Sequence, residues 1–333
     1  MTQRIGVLGS GSWGTALAVH LAHTGHEVRL WARDAALASA MASSRENATY
    51  LPGITLPDVI SPTTDMRVAL DGAAFVVVAV PSHGVRDVAR AANLRLPRAC
   101  VIVSATKGLE EHSVLRMSQV LRAELPDAGD IIALSGPSFA IELARGLPTA
   151  LVAAGESPAI VESVMAHFGS PALRLYGSSD VVGVELGGSL KNIIAIAAGV
   201  VEGLGLGHNA LAALITRGLA ELSRLGAALG AQRDTLSGLA GLGDLVLTCT
   251  GDLSRNRRVG LALARGQSLA EILASTKMVA EGVRTTEAAL ALSAKHGIEL
   301  PIAAEMSDVL AARTDPKTAI RNLMARKQKL EHA

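Results

Sequence analysis

The stretch RIGVLGSGSWGTALAVHLAHTGHEVRLWARD, residues 4–34, decides the fold because it contains one complete strand–turn–helix–strand unit. A short apolar run leads to Gly9, Gly11 and Gly14 in the spacing G-x-G-x-x-G, followed by a helical pattern and a second apolar run. The first glycine permits a tight turn, the second lets a pyrophosphate approach the backbone, and the third lets the helix pack closely. Amide groups at the helix N-terminus then face the anion. This arrangement predicts a dinucleotide-binding βαβ unit.

The same alternation continues through the first half of the chain. Strands are predicted at 4–8, 27–31, 74–80, 100–105, 131–135, 149–155 and 172–177. Strands that are apolar along their whole length, with helices between them, are typical of a parallel sheet covered on both faces. The segment 47–57 contains Pro52, Gly53 and Pro57 and is predicted to be an ordered loop.

Beyond about residue 180 the sequence is rich in alanine, leucine and glycine, and its periodicity is helical. Helices are predicted at 181–202, 209–229, 254–265, 268–274, 282–296, 302–313 and 316–326. The predicted fold class is α/β, with an N-terminal Rossmann-like, doubly wound, mostly parallel sheet and a C-terminal all-helical domain. We expect residues 1–180 to form the dinucleotide-binding domain and residues 181–333 the helical domain for substrate binding and catalysis.

The composition narrows the classes of function. The chain has 333 residues and a net charge of +1, which allows two domains but does not favour general binding to nucleic acid or anionic membranes. Cys100 and Cys249 suit neither a disulfide framework nor a metal site, so no metal is expected. The N-terminus lacks the pattern of a signal peptide, and the longest apolar runs fall short of the roughly 20 residues of a spanning helix. We therefore expect a soluble, cytoplasmic protein.

The second predicted strand ends in LWARD, where folds of this kind contact the ribose of the dinucleotide. An acidic residue there favours a free 2′-hydroxyl, whereas an arginine favours a 2′-phosphate. Arg33 comes first and Asp34 follows. We favour Arg33 as a clamp for the 2′-phosphate, and hence NADPH over NADH. The alternative is that the two residues form a solvated turn.

Three loops follow predicted strands at the edge of the sheet where ligands of open α/β folds bind. In SATKGLE, Lys107 is placed to meet an anionic group of substrate or cofactor, unless it is a solvated loop lysine. In SGPSFA, the Gly136 backbone and the Ser138 hydroxyl are placed to face a ligand. In VPSHG, His83 is a candidate general acid because imidazole titrates near neutral pH, but it could also cap the next helix. His208 leaves the same question open.

A lysine stands in the almost wholly apolar stretch GGSLKNIIAIAAG, residues 187–199. On a helix, no acidic side chain shares the face of Lys191. Burying an unpaired ammonium is costly, so Lys191 either extends to water or has a chemical role. The glycines and alanines around it are expected to leave room for a small substrate.

A second group of polar residues lies in the segment GLGDLVLTCTGDLSRNRRVG. Asp244 and Thr248 are four residues apart, which places both on one face of a helical turn. Ser254 has the position of an N-cap, and three arginines follow within the next four residues. Positive charge there opposes the helix dipole unless an anion lies close by. Arg255 and the Asn256 amide would then form a phosphate site, and a solvated basic turn is the alternative.

Nine segments of the chain together resemble those of one family. In order they are GSGSWGTALA, NATYLPGITLP, SATKGLE, GPSFA, GSLKNIIAIAAG, LGHNALAALITRG, GLGDLVLTCT, SRNRRVG and AEGVRT. Over residues 5 to about 320 the chain resembles bacterial NAD(P)-dependent glycerol-3-phosphate dehydrogenase. Ser189 stands where the family often has alanine, and His208 where it often has aspartate, which leaves the role of that loop open.

The resemblance implies reversible reduction of dihydroxyacetone phosphate to sn-glycerol 3-phosphate with NADP(H) or NAD(H), a step that supplies the glycerophospholipid backbone, and a homodimer. Lys191 would be the general acid/base, with Asp244 and Lys107 completing the catalytic group. The implied substrate-binding residues are Lys107, Gly136, Ser138, Lys191, Asn192, Asp244, Thr248, Ser254, Arg255 and Asn256. The implied cofactor-binding residues, besides the three glycines, are Ser12, Trp13, Arg33, Tyr50, Lys107, Ala140, Arg255, Val279 and Glu281.

Two other functions fit parts of the same pattern. A β-hydroxyacid or 6-phosphogluconate-type dehydrogenase also joins a GxGxxG domain to a helical domain with a lysine–asparagine motif. The segment around Asp244 and Arg255 favours the glycerol phosphate interpretation, and a small panel of substrates distinguishes the two. The other is a non-catalytic protein that senses NADPH. The set of Lys191, Asp244 and Arg255 counts against it.

Overall fold

A computed structural model describes residues 2–275, 280–328 and 330 of the protein. The strands are β1 (Arg4–Leu8), β2 (Glu27–Trp31), β3 (Glu46–Asn47), β4 (Leu51–Thr55), β5 (Ile60–Thr63), β6 (Phe75–Val78), β7 (Val101–Ser104), β8 (Ile131–Ser135), β9 (Thr149–Ala154) and β10 (Leu173–Ser178). The helices of the first half are α1 (Ser12–His23), α2 (Ala35–Ser44), α3 (Met66–Leu70), α4 (Val85–Asn93), α5 (Met117–Glu124), α6 (Ala140–Ala144) and α7 (Pro158–Phe168). Those of the second half are α8 (Val181–Gly203), α9 (Gly207–Ala228), α10 (Arg233–Ser237), α11 (Asp244–Thr250), α12 (Arg255–Ala264), α13 (Leu269–Ala274), α14 (Glu281–His296), α15 (Pro301–Leu310) and α16 (Pro316–Met324).

Eight strands form one sheet in the order β10-β9-β8-β7-β6-β1-β2-β5. Neighbouring strands are parallel except β8 and β9, which pair antiparallel. Along β1, Ile5 and Val7 belong to the core on one face and Leu8 to the core on the other, as the alternation of a strand requires. The predicted Rossmann-like, mostly parallel sheet with helices on both faces is therefore confirmed.

All seven predicted strands are present, but the region between the second and third of them was predicted incompletely. Segment 47–57 is not simply a loop, because β3 and β4 form an antiparallel hairpin there. In addition, β5 pairs with β2 as a parallel strand at the edge of the sheet. Pro62 lies in β5, and an edge strand tolerates a residue without an amide hydrogen. The proline and the four-residue length explain why the sequence pattern did not reveal this strand.

The second half is helical, as predicted, and its helices surround α8. A π-helical turn, Leu239–Gly243, leads into α11. Helix α8 crosses α12 at backbone contact. A Cβ atom at Gly199 would lie 1.9 Å from the carbonyl oxygen of Arg257, and one at Gly260 would lie 1.9 Å from that of Ile196. Only glycine allows this separation, so the two helices are held at one distance.

Among the helices that the structure describes, α8 is the one long and apolar enough to cross a membrane. However, 89% of its most apolar window is buried inside the protein. It is therefore the central helix of a core. Asp180 caps its first turn by accepting a hydrogen bond from Gly183 N at 2.8 Å. One turn farther along, the carboxylate of buried Glu185 accepts hydrogen bonds from Ser118 N and Oγ at 2.7 and 2.6 Å and pairs with Arg116. These contacts hold α8 against the sheet-bearing half.

Candidate active site

The glycine loop between β1 and α1 has the three features that its spacing predicted. Gly9 has φ of +119°, and a Cβ there would lie 2.6 Å from Ala79 O. A Cβ at Gly14 would lie 1.9 Å from Gly9 O, so the third glycine permits the close packing of α1. A Cβ at Gly11, in contrast, would meet nothing within 4 Å. The open space is therefore at the glycine that a pyrophosphate is expected to approach, and the loop fits a dinucleotide.

Ser12 and Trp13 form the first turn of α1, directly after this loop. The indole Nε1 of Trp13 is buried, and no described residue accepts a hydrogen bond from it. Buried donors are almost always paired, so an unpaired one beside an anion-binding loop fits a site that receives a polar ligand. The other tryptophan of the chain, Trp31 at the end of β2, donates from Nε1 to Thr64 O at 3.0 Å.

The residues after β2 have separate roles. Asp34 caps α2, because its Oδ1 accepts hydrogen bonds from Ala36 N at 2.8 Å and Leu37 N at 3.2 Å. Arg33 is exposed and has no hydrogen-bond or ion-pair partner among the described residues. The carboxylate is thus occupied by the helix and the guanidinium is available to a ligand.

Three of the remaining sequence-predicted cofactor residues lie on different elements. Tyr50 lies in the turn between β3 and β4, and Ala140 is the first residue of α6. Glu281 is the first residue of α14, and its carboxylate accepts hydrogen bonds from Ser82 N at 3.1 Å and Ser82 Oγ at 2.6 Å. Val279 lies outside the described residues. Sequence reasoning did not identify Ser82, although it singled out the loop that contains it. No local pattern connects this serine with Glu281.

Two lysines from different halves of the chain share one buried carboxylate. Lys191 Nζ on α8 lies 2.5 Å from Asp244 Oδ1 and 2.7 Å from Thr248 Oγ1 on α11. Lys107 Nζ, after β7, lies 2.7 Å from Asp244 Oδ2 and 2.8 Å from Gly136 O. Asp244 is 1% exposed and Lys191 6%, so this cluster is nearly excluded from water. Two ammonium groups against one carboxylate leave an excess of positive charge, which suits an anionic substrate or a developing alkoxide.

Burial, as the largest cause, and the positive charge of Lys107 lower the pKa of Lys191 to about 8, against the opposing attraction of Asp244. A lysine in this range can both donate and accept a proton near neutral pH. The missing counter-charge of the apolar stretch is therefore Asp244, which lies 53 positions farther along the chain. The local face of α8 could not reveal it.

A second polar group lies beside this cluster. Asn192 Oδ1 accepts a hydrogen bond from Asn256 Nδ2 at 2.9 Å, and Asn256 Oδ1 accepts one from Gly282 N at 3.0 Å. The side-chain amide nitrogen of Asn192 donates to no described residue. This chain of amides connects the helix of Lys191 to the start of α12 and to the start of α14, where Glu281 lies.

The three arginines after Ser254 differ in their contacts. Ser254 caps α12, as predicted, by accepting a hydrogen bond from Arg257 N at 3.2 Å. Arg257 pairs with Glu202 and Asp252, and Arg258 Nε donates to Asp252 O at 3.2 Å. The unfavourable charge of this first turn is therefore partly compensated by the protein itself. Arg255 is exposed and forms no hydrogen bond or ion pair with a described residue, although Glu281 attracts its charge, so its guanidinium is available at the helix N-terminus.

The structure does not support the expected role of the glycines beside Lys191. They do not form a substrate cavity. A Cβ at Gly187 would lie 2.5 Å from Ala240 O, and one at Gly188 would lie 2.4 Å from Ser135 Oγ, so both permit close packing.

Gly84, not His83, caps α4, and the His83 side chain is exposed. His208 is exposed at the second position of α9. Ser138 Oγ donates to Gly136 O at 3.0 Å beside Lys107.

Comparisons with known proteins agree along nearly the whole chain. The model for the N-terminus of NAD-dependent glycerol-3-phosphate dehydrogenase matches residues 4–161, and the model for its C-terminus matches residues 180–321. A Geobacter protein named glycerol-3-phosphate dehydrogenase (NAD(P)+) is 50% identical over 333 residues, covering 99% of each chain. A Moorella thermoacetica protein of the same name is 52% identical over 310 residues, 93% of this chain and 92% of its own. The crystal structure of glycerol-3-phosphate dehydrogenase from Coxiella burnetii matches with a TM-score of 0.94 at 39% identity and covers 98% of this chain and 99% of its own.

Proposed function

Because the chain belongs to the NAD-dependent glycerol-3-phosphate dehydrogenase family, we propose that it catalyses the reversible reduction of dihydroxyacetone phosphate to sn-glycerol 3-phosphate with NADPH or NADH. The observation that carries this proposal is the buried cluster of Lys191, Asp244 and Lys107, to which both halves of the chain contribute. The nicotinamide cofactor supplies the hydride to the C2 carbonyl when it is bound.

The residues of the chain supply the proton, the charge and the binding. Lys191 donates its proton to the oxygen at C2, and Asp244 and Thr248 orient its ammonium group. Lys107 adds positive charge on the other side of Asp244. Arg255, with Ser254 and Asn256 beside it, holds the substrate phosphate, so that binding energy remote from the reacting carbon positions the carbonyl. Gly136, Ser138 and Asn192 complete the substrate site.

For the cofactor, we propose that the pyrophosphate lies at Gly9, Gly11 and Gly14. The other cofactor-binding residues implied by the resemblance would surround the remaining parts of the dinucleotide. The indole N–H of Trp13, which has no acceptor among the described residues, and the open space at Gly11 support this placement. The division at residue 180 into a nucleotide domain and a helical domain is supported by the apolar cores. The two core clusters on the faces of the sheet end by Leu175, and the main cluster of the helical half runs from Leu186 to Ala319 with Leu109 added. A small cluster of Ala133, Ala154, Val184 and Ala240 joins the two halves.

Two further properties belong to the same proposal. We expect a homodimer, which light scattering of the purified protein would measure. We expect a cytoplasmic enzyme that feeds glycerophospholipid synthesis, which fractionation of cells would test.

The direct test is the oxidation of NADPH with dihydroxyacetone phosphate, followed by absorbance and repeated with NADH. Turnover of a 3-hydroxyacid or of 6-phosphogluconate in preference to dihydroxyacetone phosphate would favour the rival dehydrogenases. Binding of NADPH without turnover of any of these substrates would favour the sensing protein.

The pH dependence of turnover reports on Lys191. Since burial lowers its pKa to about 8, kcat for reduction is expected to fall as pH rises through this value, because the neutral amine has no proton to donate. The reverse oxidation needs the neutral amine, so its kcat is expected to rise over the same range. Profiles of kcat at saturating substrates, measured in both directions, check this. Parallel profiles in the two directions would contradict the assignment of Lys191.

The cofactor preference is expected to depend on Arg33. In Arg33→Asp, kcat/KM for NADPH should fall by about tenfold to a hundredfold, because the partner of the 2′-phosphate is replaced by a repelling charge, whereas kcat/KM for NADH should change little. Asp34→Ser is the matched control, since serine preserves an N-cap for α2 and leaves Arg33 in place. An unchanged NADPH/NADH ratio in Arg33→Asp would remove the 2′-phosphate from this residue.

A further inference from the structure

We propose that Asn47, on the hairpin β3–β4, is a positioning residue that holds the glycine loop in the conformation that receives the nucleotide pyrophosphate. The proposal rests on the placement of the cofactor given above. Asn47 is 0% exposed, which for a primary amide is costly unless its polar atoms are hydrogen-bonded. Its contacts show where those hydrogen bonds go.

The amide hydrogens of Asn47 are directed to the glycine loop and to the first turn of α1. Nδ2 lies 2.8 Å from the carbonyl oxygen of Ser10 and 2.8 Å from Thr15 Oγ1. The Thr15 hydroxyl in turn lies 3.3 Å from the same carbonyl oxygen, so the three groups close a triangle. The remaining acceptor, Oδ1, receives a hydrogen bond from Tyr50 N at 3.1 Å. If the amide were rotated by 180°, Oδ1 would face the Ser10 carbonyl oxygen and Nδ2 would face the N–H of Tyr50. The hydrogen bonds on both sides of the amide would then be lost.

This arrangement sets the direction of one peptide group. The Ser10–Gly11 peptide is trans, as all described peptides are, so its carbonyl and its N–H point in opposite directions. Because Asn47 and Thr15 hold the carbonyl oxygen, the N–H of Gly11 points away from the hairpin. No described residue accepts a hydrogen bond from that N–H. An anion requires such a donor, whereas a reversed peptide would present a carbonyl oxygen to it.

The loop needs such a restraint because its own residues supply few. Gly9 and Gly11 have no side chains to pack, and glycine backbones sample more conformations than any other residue. A hydrogen-bonded amide from outside the loop selects one of these conformations before the ligand arrives, which lowers the entropic cost of binding. The same side chain also holds the backbone of Tyr50, so hairpin and loop are ordered together.

The test compares Asn47→Ala with Thr15→Val, which removes the hydroxyl of the triangle at nearly constant volume. The dissociation constant of NADPH is measured by energy transfer from Trp13 and Trp31 to the dihydronicotinamide. It is expected to rise about tenfold in Asn47→Ala and severalfold in Thr15→Val, with Thr15→Ser close to wild type. At saturating NADPH, kcat should stay within about twofold of wild type, because the restraint acts on binding. The affinity for adenosine 2′-monophosphate, which lacks the pyrophosphate, should not change.

Glu46→Ala is the matched control, because Glu46 Oε1 accepts a hydrogen bond from Gly53 N at 2.8 Å in the same hairpin without touching the loop. Equal losses of NADPH affinity in Glu46→Ala and Asn47→Ala, or equal losses for NADPH and adenosine 2′-monophosphate, would reduce Asn47 to a structural residue of the hairpin. Wild-type NADPH affinity in both Asn47→Ala and Thr15→Val would overturn the inference about Asn47 but leave the proposed function intact. Failure of the wild-type protein to bind NADPH would overturn the proposed function as well. If Asn47→Ala does not fold, Thr15→Val and Thr15→Ser decide.

Discussion

Replacing Lys191 by alanine is expected to lower kcat for reduction of dihydroxyacetone phosphate by about 10²–10⁴-fold, the usual contribution of a positioned general acid. The dissociation constant of NADPH should stay near its wild-type value, because Lys191 lies on α8, away from the glycine loop. The variant is expected to fold, since Asp244 retains Lys107 at 2.7 Å as a counter-charge. Single-turnover kinetics with a separate binding titration of NADPH provide both quantities.

Lys191→Arg separates proton transfer from charge. Arginine preserves a positive charge beside Asp244 but stays protonated at every accessible pH. If proton donation is the role of Lys191, this variant should be nearly as slow as alanine and should lose the fall in kcat near pH 8 that the lysine pKa of about 8 predicts. Near-wild-type turnover in either variant would exclude Lys191 as the acid.

Replacing Arg255 by alanine is expected to reduce kcat/KM for dihydroxyacetone phosphate by about a hundredfold or more, because charge-assisted hydrogen bonds to the phosphate are lost. The residual turnover of unphosphorylated dihydroxyacetone should change little, since that substrate never used the site. Steady-state kinetics on both substrates measure the difference.

Another arginine near the start of the same helix provides the control. Arg258 is also exposed and cationic, but its Nε is hydrogen-bonded to Asp252 O. Arg258→Ala therefore tests whether any loss of positive charge at the start of α12 has the same effect, and it should leave kcat/KM for both substrates nearly unchanged. Equal losses on the phosphorylated and unphosphorylated substrates in Arg255→Ala would argue against a phosphate clamp.

The parts of this protein that sequence reasoning reached are those determined by local pattern. The spacing of Gly9, Gly11 and Gly14 between a strand and a helix predicted a turn whose geometry the structure reproduces. The N-cap at Ser254 was predicted from its position alone. The seven predicted strands are runs dominated by apolar and β-branched residues, whereas the short β5, with Pro62, lacks that pattern.

What sequence reasoning missed depends on contacts between distant segments. Nothing around residue 47 indicates that an asparagine in an apparent loop reaches Ser10 and Thr15. Similarly, the partner of Glu281 is Ser82, 199 positions away, and no periodicity connects the two. The glycines beside Lys191 do not line the expected substrate cavity, because Gly187 lies against the backbone of the segment before α11 and Gly188 lies against the Ser135 side chain of β8. A glycine indicates that a neighbour is close, and only the fold reveals which neighbour.

The backbone contact between α8 and α12 has a consequence for substrate selection. Lys191 lies on α8, and Arg255 begins α12, so the proposed proton donor and phosphate anchor belong to two helices whose separation is set at Gly199 and Gly260. If Lys191 and Arg255 have these proposed roles, we expect the fixed separation of the two helices to select substrates by the distance from the reduced carbon to the phosphorus. A ketose phosphate with a longer chain between these two atoms would reach the anchor or the acid, but not both.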